Sequence, residues 1–309
     1  MQRRVVVVGK NRLAAECLRV VVAAGDKAIA VADPSDSGVD GWQPSFRRCA
    51  ESLGVPVRSA IRINDPSFVA DLGRTRPDYI LSFQAAQLMR AELLAVPALA
   101  AINLHFGPLP RYRGVAPIAW ALINGERSTG VTLHHIDAGI DTGPSIRSSV
   151  VPISREDTGR SLYDKCTEAG IELFRQTWPS LRRRVLRGKP QRSRDALYYN
   201  RFSLDFSLRV VRWDRDCESV ANWIRAYIFP PFQLPVVTVG GREIEIGGVR
   251  WDRGFHRGRG GEILEVSDEG ITIAAPGGRV TLVHLRHAGT PLNAADFMGA
   301  GLVQGANLS

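Results

Sequence analysis

The chain has 309 residues, of which 44% are hydrophobic and 23% are charged, and its formal net charge is +9. That size and hydrophobic content suffice for about two globular domains. The sequence lacks the run of about 18 apolar residues needed to span a bilayer, and its N-terminal apolar run is too short for a signal peptide. We therefore expect a cytoplasmic protein with no membrane partner.

The cysteines lie far apart in the sequence. They are Cys17, Cys49, Cys166 and Cys217. Zinc and redox sites favour closely spaced pairs, so we expect neither kind of site and interpret these residues as buried thiols of a cytosolic protein.

The first third of the chain alternates between strand and helix patterns. Arg3–Gly9 and Ala28–Ala32 are typical of buried strands, and Asn11–Ala24 has apolar residues at helical spacing. Further helices are predicted over 44–53 and 65–74, and a further strand over 78–83. This alternation predicts a Rossmann-like parallel sheet with helices on both faces.

Asp33 closes the second predicted strand, where NAD-binding proteins place an acid that binds ribose. The turn after the first strand, residues 9–14, lacks the glycines that let a backbone approach a pyrophosphate. We therefore interpret Asp33, which precedes Pro34, as a turn residue.

The middle of the chain predicts a strand that carries Asn103 and His105, followed by a loop rich in Gly and Pro. Further elements are predicted as a helix over 116–123, a strand over 130–135 and a helix over 157–187. Because proline lacks the amide hydrogen that a helix needs, we expect the last helix to break near Pro179.

The last third of the chain has a different pattern. After a polar connector at 188–201, a helix is predicted over Cys217–Tyr227, and short strand-like runs alternate with Gly-rich turns. The runs lie at 236–239, 243–246, 262–266, 271–274 and 280–285. They predict a small, OB-like β-barrel, which need not bind nucleic acid. The predicted domains are 1–188 and 207–309, joined by a linker at 189–206.

Asn103 and His105 lie two positions apart on a predicted strand, so their side chains point to the same face. Asp141 follows the next strand, between Gly139 and Gly143, where a tight loop would direct a carboxylate inward. Ligands of α/β sheets bind at the carboxyl ends of strands. We therefore expect Asn103, His105 and Asp141 to share one crevice.

A carboxamide, an imidazole and a carboxylate in one crevice suit acyl transfer to an amine. The amine must lose a proton, and an imidazole with an ordinary pKa of about 6.5 accepts one at neutral pH. Asp141 would raise the pKa of His105, and Asn103 would donate to the oxygen that gains charge. A purely structural role for His105 stays open at this point.

His134 and His135 are neighbours on a predicted strand, so their side chains point to opposite faces and are unsuited to binding one zinc ion together. We expect one to face the core and the other to face a neighbour or the site. No metal is expected.

Longer motifs surround these residues. They are Ile102–Gly114 (INLHFGPLPRYRG), Ala116–Trp120 (APIAW), Asn124–Glu126 (NGE), Thr129–Thr132 (TGVT) and Asp137–Gly143 (DAGIDTG). Together they resemble the folate-dependent formyltransferase family, which includes methionyl-tRNA formyltransferases and sugar-nucleotide N-formyltransferases. The likeness to the formyltransferase domain of the UDP-4-amino-4-deoxy-L-arabinose pathway enzyme runs nearly end to end, through Pro77–Phe83, Trp223–Ala226 and Gly301–Gly305.

The resemblance implies a Rossmann-like catalytic domain followed by a barrel, with 10-formyltetrahydrofolate as co-substrate. It implies Asn103, His105 and Asp141 as the catalytic residues. The folate-contacting residues that it implies are Gln87, Leu88, Met89, Asp137, Ala138, Gly139 and Ile140. A strand-edge backbone matches the alternating donors and acceptors of a pterin without charged side chains.

Two departures from the family bear on the acceptor. Val115 stands where the sugar enzymes have an arginine, and Phe106–Pro110 replaces the GSLLP of many relatives. The loop at 34–44 contains Asp36 and Asp40 and no basic residue, whereas the tRNA enzymes resemble one another in a Lys/Arg-rich insertion there. We therefore expect a small primary amine, namely a nucleotide-linked amino sugar.

Three alternatives stay open. A basic run at 182–194 and the positive net charge suit methionyl-tRNA, although cations near a helix C-terminus also suit its dipole. The second alternative is an amine of a peptide-antibiotic assembly line or a siderophore, and the third is a catalytically inactive RNA-binding protein. The sequence also leaves a homodimer open.

Overall fold

The computed structural model describes residues 1–59, 61–184 and 187–308. The chain separates into two compact units. The first comprises 1–115, 129–151 and 164–200, and the second comprises 116–128, 152–163 and 201–309. The linker boundaries at residues 188 and 206 stay a prediction.

The first unit is built on a seven-stranded sheet. The strands in the first 200 residues are β1 (Arg4–Gly9), β2 (Lys27–Ala32), β3 (Val57–Ser59), β4 (Tyr79–Phe83), β5 (Ala100–His105), β6 (Arg113–Gly114), β7 (Ser128–His135), β8 (Ser145–Pro152) and β9 (Tyr198–Tyr199). The sheet has the order β3-β2-β1-β4-β5-β7-β8, and β6 pairs separately with β9.

The first five strands of the sheet run parallel, whereas β7 runs antiparallel to β5. Parallel neighbours need a crossover connection over the sheet, but much of the segment between β5 and β7 belongs to the second unit, and β7 returns in the opposite direction. In this register Asn103 lies opposite His134, and His105 lies opposite Thr132. The sheet is therefore mixed.

Helices alternate with the strands of the first unit, as the sequence predicts. The helices up to residue 182 are α1 (Asn11–Ala23), α2 (Phe46–Ser52), α3 (Pro66–Arg74), α4 (Ala91–Leu94), α5 (Pro117–Ile123) and α6 (Gly159–Arg182). A short 3₁₀ helix covers Ser193–Asp195. Helix α1 buries a stripe that includes Leu13, Leu18 and Val21, the pattern of an amphipathic helix on a sheet.

Helix α6 continues through Pro179, so the predicted break is wrong. Trp178 is fully buried, packs edge-on against Tyr79 and donates from its indole N–H to Asp26. Arg182, one turn later, pairs with the same carboxylate. These contacts hold the last turn of the helix despite the backbone hydrogen bond that the proline removes. Part of the predicted extension, residues 185 and 186, lies outside the described residues.

The second unit contains α7 (Cys217–Tyr227), α8 (Ala294–Gly299) and a curled antiparallel sheet. Its strands are β10 (Val236–Val239), β11 (Arg242–Arg253), β12 (Ile263–Ser267), β13 (Gly270–Ala275), β14 (Gly278–His287) and β15 (Thr290–Pro291). The order is β10-β11-β14-β13-β12, and β15 pairs with β14. This half-barrel and the Rossmann-like sheet together confirm the predicted fold class.

A buried arginine organises the polar interior of the second unit. Arg225 on α7 is 5% exposed, donates from Nη1 to the carbonyls of Ser154 and Asp157, and donates from Nη2 to Asn222 Oδ1. Its guanidinium also lies 5.2 Å from the ring centre of Trp251. Backbone acceptors and an aromatic face thus stabilise the buried charge, and the nearby carboxylates of Asp157 and Glu156 add to this attraction.

Within the described residues, no helix is both long and apolar enough to cross a membrane. The same residues include no cluster of three or more His, Cys, Asp or Glu side chains arranged to hold a metal ion. The cysteine side chains are all buried.

Candidate active site

Asn103, His105 and Asp141 come together around a fourth side chain, His134. His105 Nδ1 lies 3.5 Å from Asp141 Oδ2, and His134 Nε2 lies 3.4 Å from Asp141 Oδ1. Asn103 Nδ2 lies 3.1 Å from His134 Nε2. The predicted trio therefore shares one face of the sheet, with the carboxylate between two imidazoles.

The strand geometry accounts for three of these four positions. Asn103 and His105 alternate with buried residues along β5 and so point to one face, as predicted. His134 is the direct cross-strand neighbour of Asn103 on β7. Paired residues on one face of an antiparallel pair lie close enough for their side chains to touch.

A tight loop supplies the fourth position. Asp141 has a φ of 53°, in the left-handed region that few non-glycine residues adopt. Gly143, two residues later, lies so close to the carbonyl of His135 that any side chain would collide with it. The chain therefore turns back sharply after β7, and the carboxylate of Asp141 returns over the sheet.

The carboxylate of Asp141 is held in its ionised form. Burial works to raise its pKa, but the nearby His134 and His105 rings and the backbone N–H of Gly114 together lower it to about 2. Gly114 donates to Oδ2 over 2.9 Å. Asp141 therefore carries a full negative charge at neutral pH.

His105 is nearly sealed from solvent, with 7% of its surface exposed. Nε2 lies 2.7 Å from the carbonyl oxygen of Tyr112, and Nδ1 faces Asp141. Burial lowers the pKa of His105 below its ordinary value, although Asp141 and the Tyr112 carbonyl work in the opposite direction. The predicted effect of Asp141 is thus present, but desolvation outweighs it and favours a neutral imidazole.

The loop after β5 is shaped to admit the His105 ring. A side chain at Gly107 would place its Cβ 2.7 Å from His105 Nε2 and 3.0 Å from the carbonyl oxygen of Tyr112. Since real Cβ atoms do not approach other atoms this closely, only glycine fits without displacing the imidazole. The Tyr112 backbone itself has a φ of 60°.

Gln191 is a second residue at the site that motif analysis missed. Its Nε2 donates to the carbonyls of Asp141 and Gly143, and its Oε1 accepts from Arg113. It lies in the stretch that the sequence predicts as a linker. A polar connector of this kind carries no local signal for such a contact, because the contact depends on the chain returning over a distant loop.

The two segments predicted to contact folate border one hydrophobic cluster of the first unit. Met89 is a buried member of that cluster, and Ala85 and Ile136 pack against it. The segment after β4 is fixed by the Gln87 side chain, which bonds to the backbones of Ile61 and Ile63. The remaining predicted contacts lie on loop surface: Leu88, Asp137, Ala138 and Gly139 are exposed, and Ile140 is half-buried.

The loop at 34–44, whose lack of basic residues bears on the choice of acceptor, is held in place by the hydrogen bonds of its own two carboxylates. Asp36 accepts from Ser45 Oγ and from the backbone N–H of Arg47, while Asp40 accepts from the Ser45 backbone N–H and pairs with Arg48. Both acids therefore organise the start of α2. Asp33 accepts from the Ser35 N–H and hydroxyl, the pattern of a turn residue.

Two family models match the chain. A model described as formyl transferase matches residues 23–177, and one described as formyl transferase, C-terminal domain, matches residues 206–301. Methionyl-tRNA formyltransferase of Citrifermentans bemidjiense is 30% identical over 300 residues, covering 96% of this chain and 92% of the relative. The enzyme of the same name from Geobacter sulfurreducens is 31% identical, covering 96% and 93%.

Solved structures with a similar fold include sugar formyltransferases and HypX from Aquifex aeolicus, the latter with a TM-score of 0.63 at 20% identity and covering 97% of this chain and 49% of its own. WlaRD, described as a sugar 3N-formyl transferase in the presence of dTDP and 5-N-formyl-THF, has a TM-score of 0.75 at 22% identity and covers 92% of this chain and 98% of its own. An N-formyltransferase from Helicobacter canadensis, in complex with folinic acid and dTDP-3-aminofucose, has a TM-score of 0.74 at 24% identity, covering 92% and 99%.

Proposed function

The chain belongs to the formyl transferase family, and from that premise we propose that it transfers the formyl group of 10-formyltetrahydrofolate to a primary amine. The observation that supports this most directly is the placement of Asn103, His105 and Asp141 on one sheet face, with His105 Nδ1 3.5 Å from Asp141 Oδ2. A new C–N bond forms to the amine, and the bond from the formyl carbon to the folate nitrogen breaks.

His105 is the proposed proton carrier. Burial favours its neutral form, in which Nε2 donates to the Tyr112 carbonyl, so Nδ1 is the nitrogen that accepts a proton from the attacking amine. Once protonated, the ring donates from Nδ1 toward Asp141 and from Nε2 to the Tyr112 carbonyl, so both neighbours stabilise the charge. The same proton then passes to the departing folate nitrogen, and the enzyme returns to its starting state.

Asn103 is the proposed donor to the formyl oxygen. An amide NH₂ group carries two hydrogens, and the contact with His134 uses one of them. The other hydrogen is available for the oxygen on which negative charge develops. Asp141 stays ionised throughout, because its pKa of about 2 lies far below neutral pH.

Folate is proposed to bind along the two loops named for it. The backbones of 87–89 and 137–140 supply hydrogen-bonding groups, and the cluster that contains Met89 supplies an apolar wall beside them. This arrangement suits a pterin, a flat ring system with donors and acceptors on its edge. The co-substrate supplies the formyl carbon, and the chain supplies orientation and proton transfer.

We propose a nucleotide-linked amino sugar as the acceptor. The loop at 34–44 supports a small acceptor, since its acids are engaged in holding α2 and it presents no cation to a nucleic acid. Arg111 is exposed and lies next to Tyr112 beside the reacting centre, and its guanidinium group suits a diphosphate.

Methionyl-tRNA is the second candidate acceptor. The relatives at 30% and 31% identity, which cover nearly all of this chain, carry that activity in their names. Part of the basic run that would favour tRNA has a structural role, because Arg182 pairs with Asp26 and Arg183 bonds to the Pro179 carbonyl. We therefore rank tRNA below the sugar.

An acceptor comparison tests the proposal. The purified enzyme is supplied with 10-formyltetrahydrofolate and, in separate reactions, with dTDP- and UDP-linked amino sugars or initiator methionyl-tRNA, and tetrahydrofolate release is measured. We expect turnover with a nucleotide-linked amino sugar and none with its matched hydroxy-sugar, which lacks the nucleophile. Efficient formylation of the tRNA without reaction of any amino sugar would reverse the ranking, and no reaction of any amine would reject formyl transfer.

A further inference from the structure

His134 is buried deeper than Asn103, His105 or Asp141, with 2% of its surface exposed, and it contacts both Asn103 and Asp141. The family resemblance implies Asn103, His105 and Asp141 as catalytic residues and assigns no role to His134. Its role is therefore a separate question from the proton transfer assigned to His105.

The contacts of His134 fix which nitrogen carries the proton. Nδ1 lies 2.8 Å from the carbonyl oxygen of His135, and a carbonyl only accepts, so Nδ1 must donate. In the neutral ring Nε2 is then an acceptor, and the group that faces it at 3.1 Å is Asn103 Nδ2. The amide must therefore turn its NH₂ group, and not its oxygen, toward His134.

This orientation matters for the reaction. An asparagine side chain rotated by half a turn would present its carbonyl oxygen where the NH₂ group stands, and an oxygen cannot stabilise a developing negative charge. Fixed donors outperform mobile ones because they need no reorganisation as charge develops. A residue that selects one rotamer of Asn103 would thus affect turnover more than binding.

We propose that His134 is a positioning residue that, as its Nδ1–H tautomer, holds the carboxamide of Asn103 with its NH₂ group available to the formyl oxygen. The inference rests on the proposed function for its effect on turnover, and on geometry alone for the tautomer. It adds to that function a residue that acts through Asn103 and does not touch the reacting atoms.

Other charged groups around His134 are few. Asp141 faces Nε2 from its loop at 3.4 Å, and the His105 ring on β5 lies edge-on with centroids 6.4 Å apart. His135 is the chain neighbour on β7.

Paired substitutions test the role. His134→Leu removes the acceptor, and we expect it to lower kcat about 100-fold with little change in KM, comparable to losing one oxyanion donor. His134→Gln restores an acceptor oxygen, and we expect its kcat to be at least about tenfold higher than that of His134→Leu. A purely structural role would instead make both variants fall together with their melting temperatures.

A double-mutant cycle supplies the decisive comparison. In an Asn103→Ala background, His134→Leu should cost little further, because the group it positions is already absent. An unchanged cost in that background overturns the proposal.

Nitrogen NMR of the protein separates this inference from the proposed function. The ¹⁵N shifts of His134 should show the Nδ1–H tautomer, and the Asn103 side-chain amide signal should move in His134→Leu. The Nε2–H tautomer, or an unmoved amide signal, overturns the inference. If no amine is formylated, the proposed function fails, and these NMR results alone decide whether His134 orients Asn103.

Discussion

Asp141 in the first unit and Arg225 in the second are both charged side chains held inside the protein, and their partners differ in kind. Asp141 faces two imidazoles, side chains that can exchange protons, and one backbone N–H. Arg225 donates its hydrogen bonds to backbone carbonyls and an amide oxygen and lies over an indole, none of which titrates. The carboxylates of Asp157 and Glu156 act on Arg225 through their charge.

The difference shows what distinguishes a reacting centre from a structural network. Burial of a charge is common to both places and so is uninformative. Side-chain partners that can exchange protons are the distinguishing feature of the Asp141 site, because they let a proton move without changing the fold. A guanidinium surrounded by fixed acceptors instead ties segments together, here α7 to the stretch containing Ser154 and Asp157.

The largest expected effect is on turnover in the first unit. His105→Asn and Asp141→Asn should each lower kcat by at least about 1,000-fold, because each removes a member of the proton pathway. Steady-state kinetics with the identified acceptor measures the loss, and circular dichroism checks the fold. Asp33→Asn, a turn carboxylate in the same unit, is the matched control and should retain turnover. A His105 or Asp141 variant that keeps most of its activity removes that residue from the mechanism.

The next effect is on stability in the second unit. Arg225→Met should lower the free energy of unfolding by about 3–5 kcal/mol, because three acceptors, two of them on the buried residues Asp157 and Asn222, would lose their donor. Arg250→Met is the control: that arginine pairs with Glu269 at the surface and should cost less than about 1 kcal/mol. Denaturant titration measures both. If both variants lost the same free energy of unfolding, the buried contacts of Arg225 would stabilise the protein no more than a surface ion pair does.

The smallest effect is the pH dependence of stability that Asp141 should give to the first unit. The folded pKa of Asp141, about 2, lies below the ordinary 3.8. Its contribution to stability, about 2 kcal/mol, is therefore complete above about pH 4 and is lost as the pH falls toward 2. Denaturant titrations of the wild type and Asp141→Asn across this range should converge at low pH. If the unfolding free energies of the two proteins differ by the same amount at every pH, folding does not stabilise the ionised carboxylate.

The helix and strand patterns of the sequence predicted most of the fold. The predicted helix over Cys217–Tyr227 matches α7, and the strand with Asn103 and His105 matches β5. The strands that the sequence did not predict include β3 and β8, which lie at the edges of the first sheet: β3 has three residues, and β8 is polar and half exposed along much of its length. Neither leaves a clear periodic signal, because edge strands bury few side chains.

The site divides in the same way between local and distant information. The same-face placement of Asn103 and His105 follows from the two-residue repeat of any strand, so the sequence alone determined it. The tight turn that returns Asp141 was likewise legible in the glycines around it. Such features depend on backbone geometry within a few residues.

Only the tertiary structure decided that His134 lies against Asn103 and that Gln191 fastens the Asp141 loop. The first contact depends on the antiparallel register of β5 and β7, since a shift of one residue would turn His134 to the opposite face. The second depends on a connector that returns about 50 residues later along the chain. Strand register and chain return are set by packing across the whole unit, which no local pattern of residues encodes.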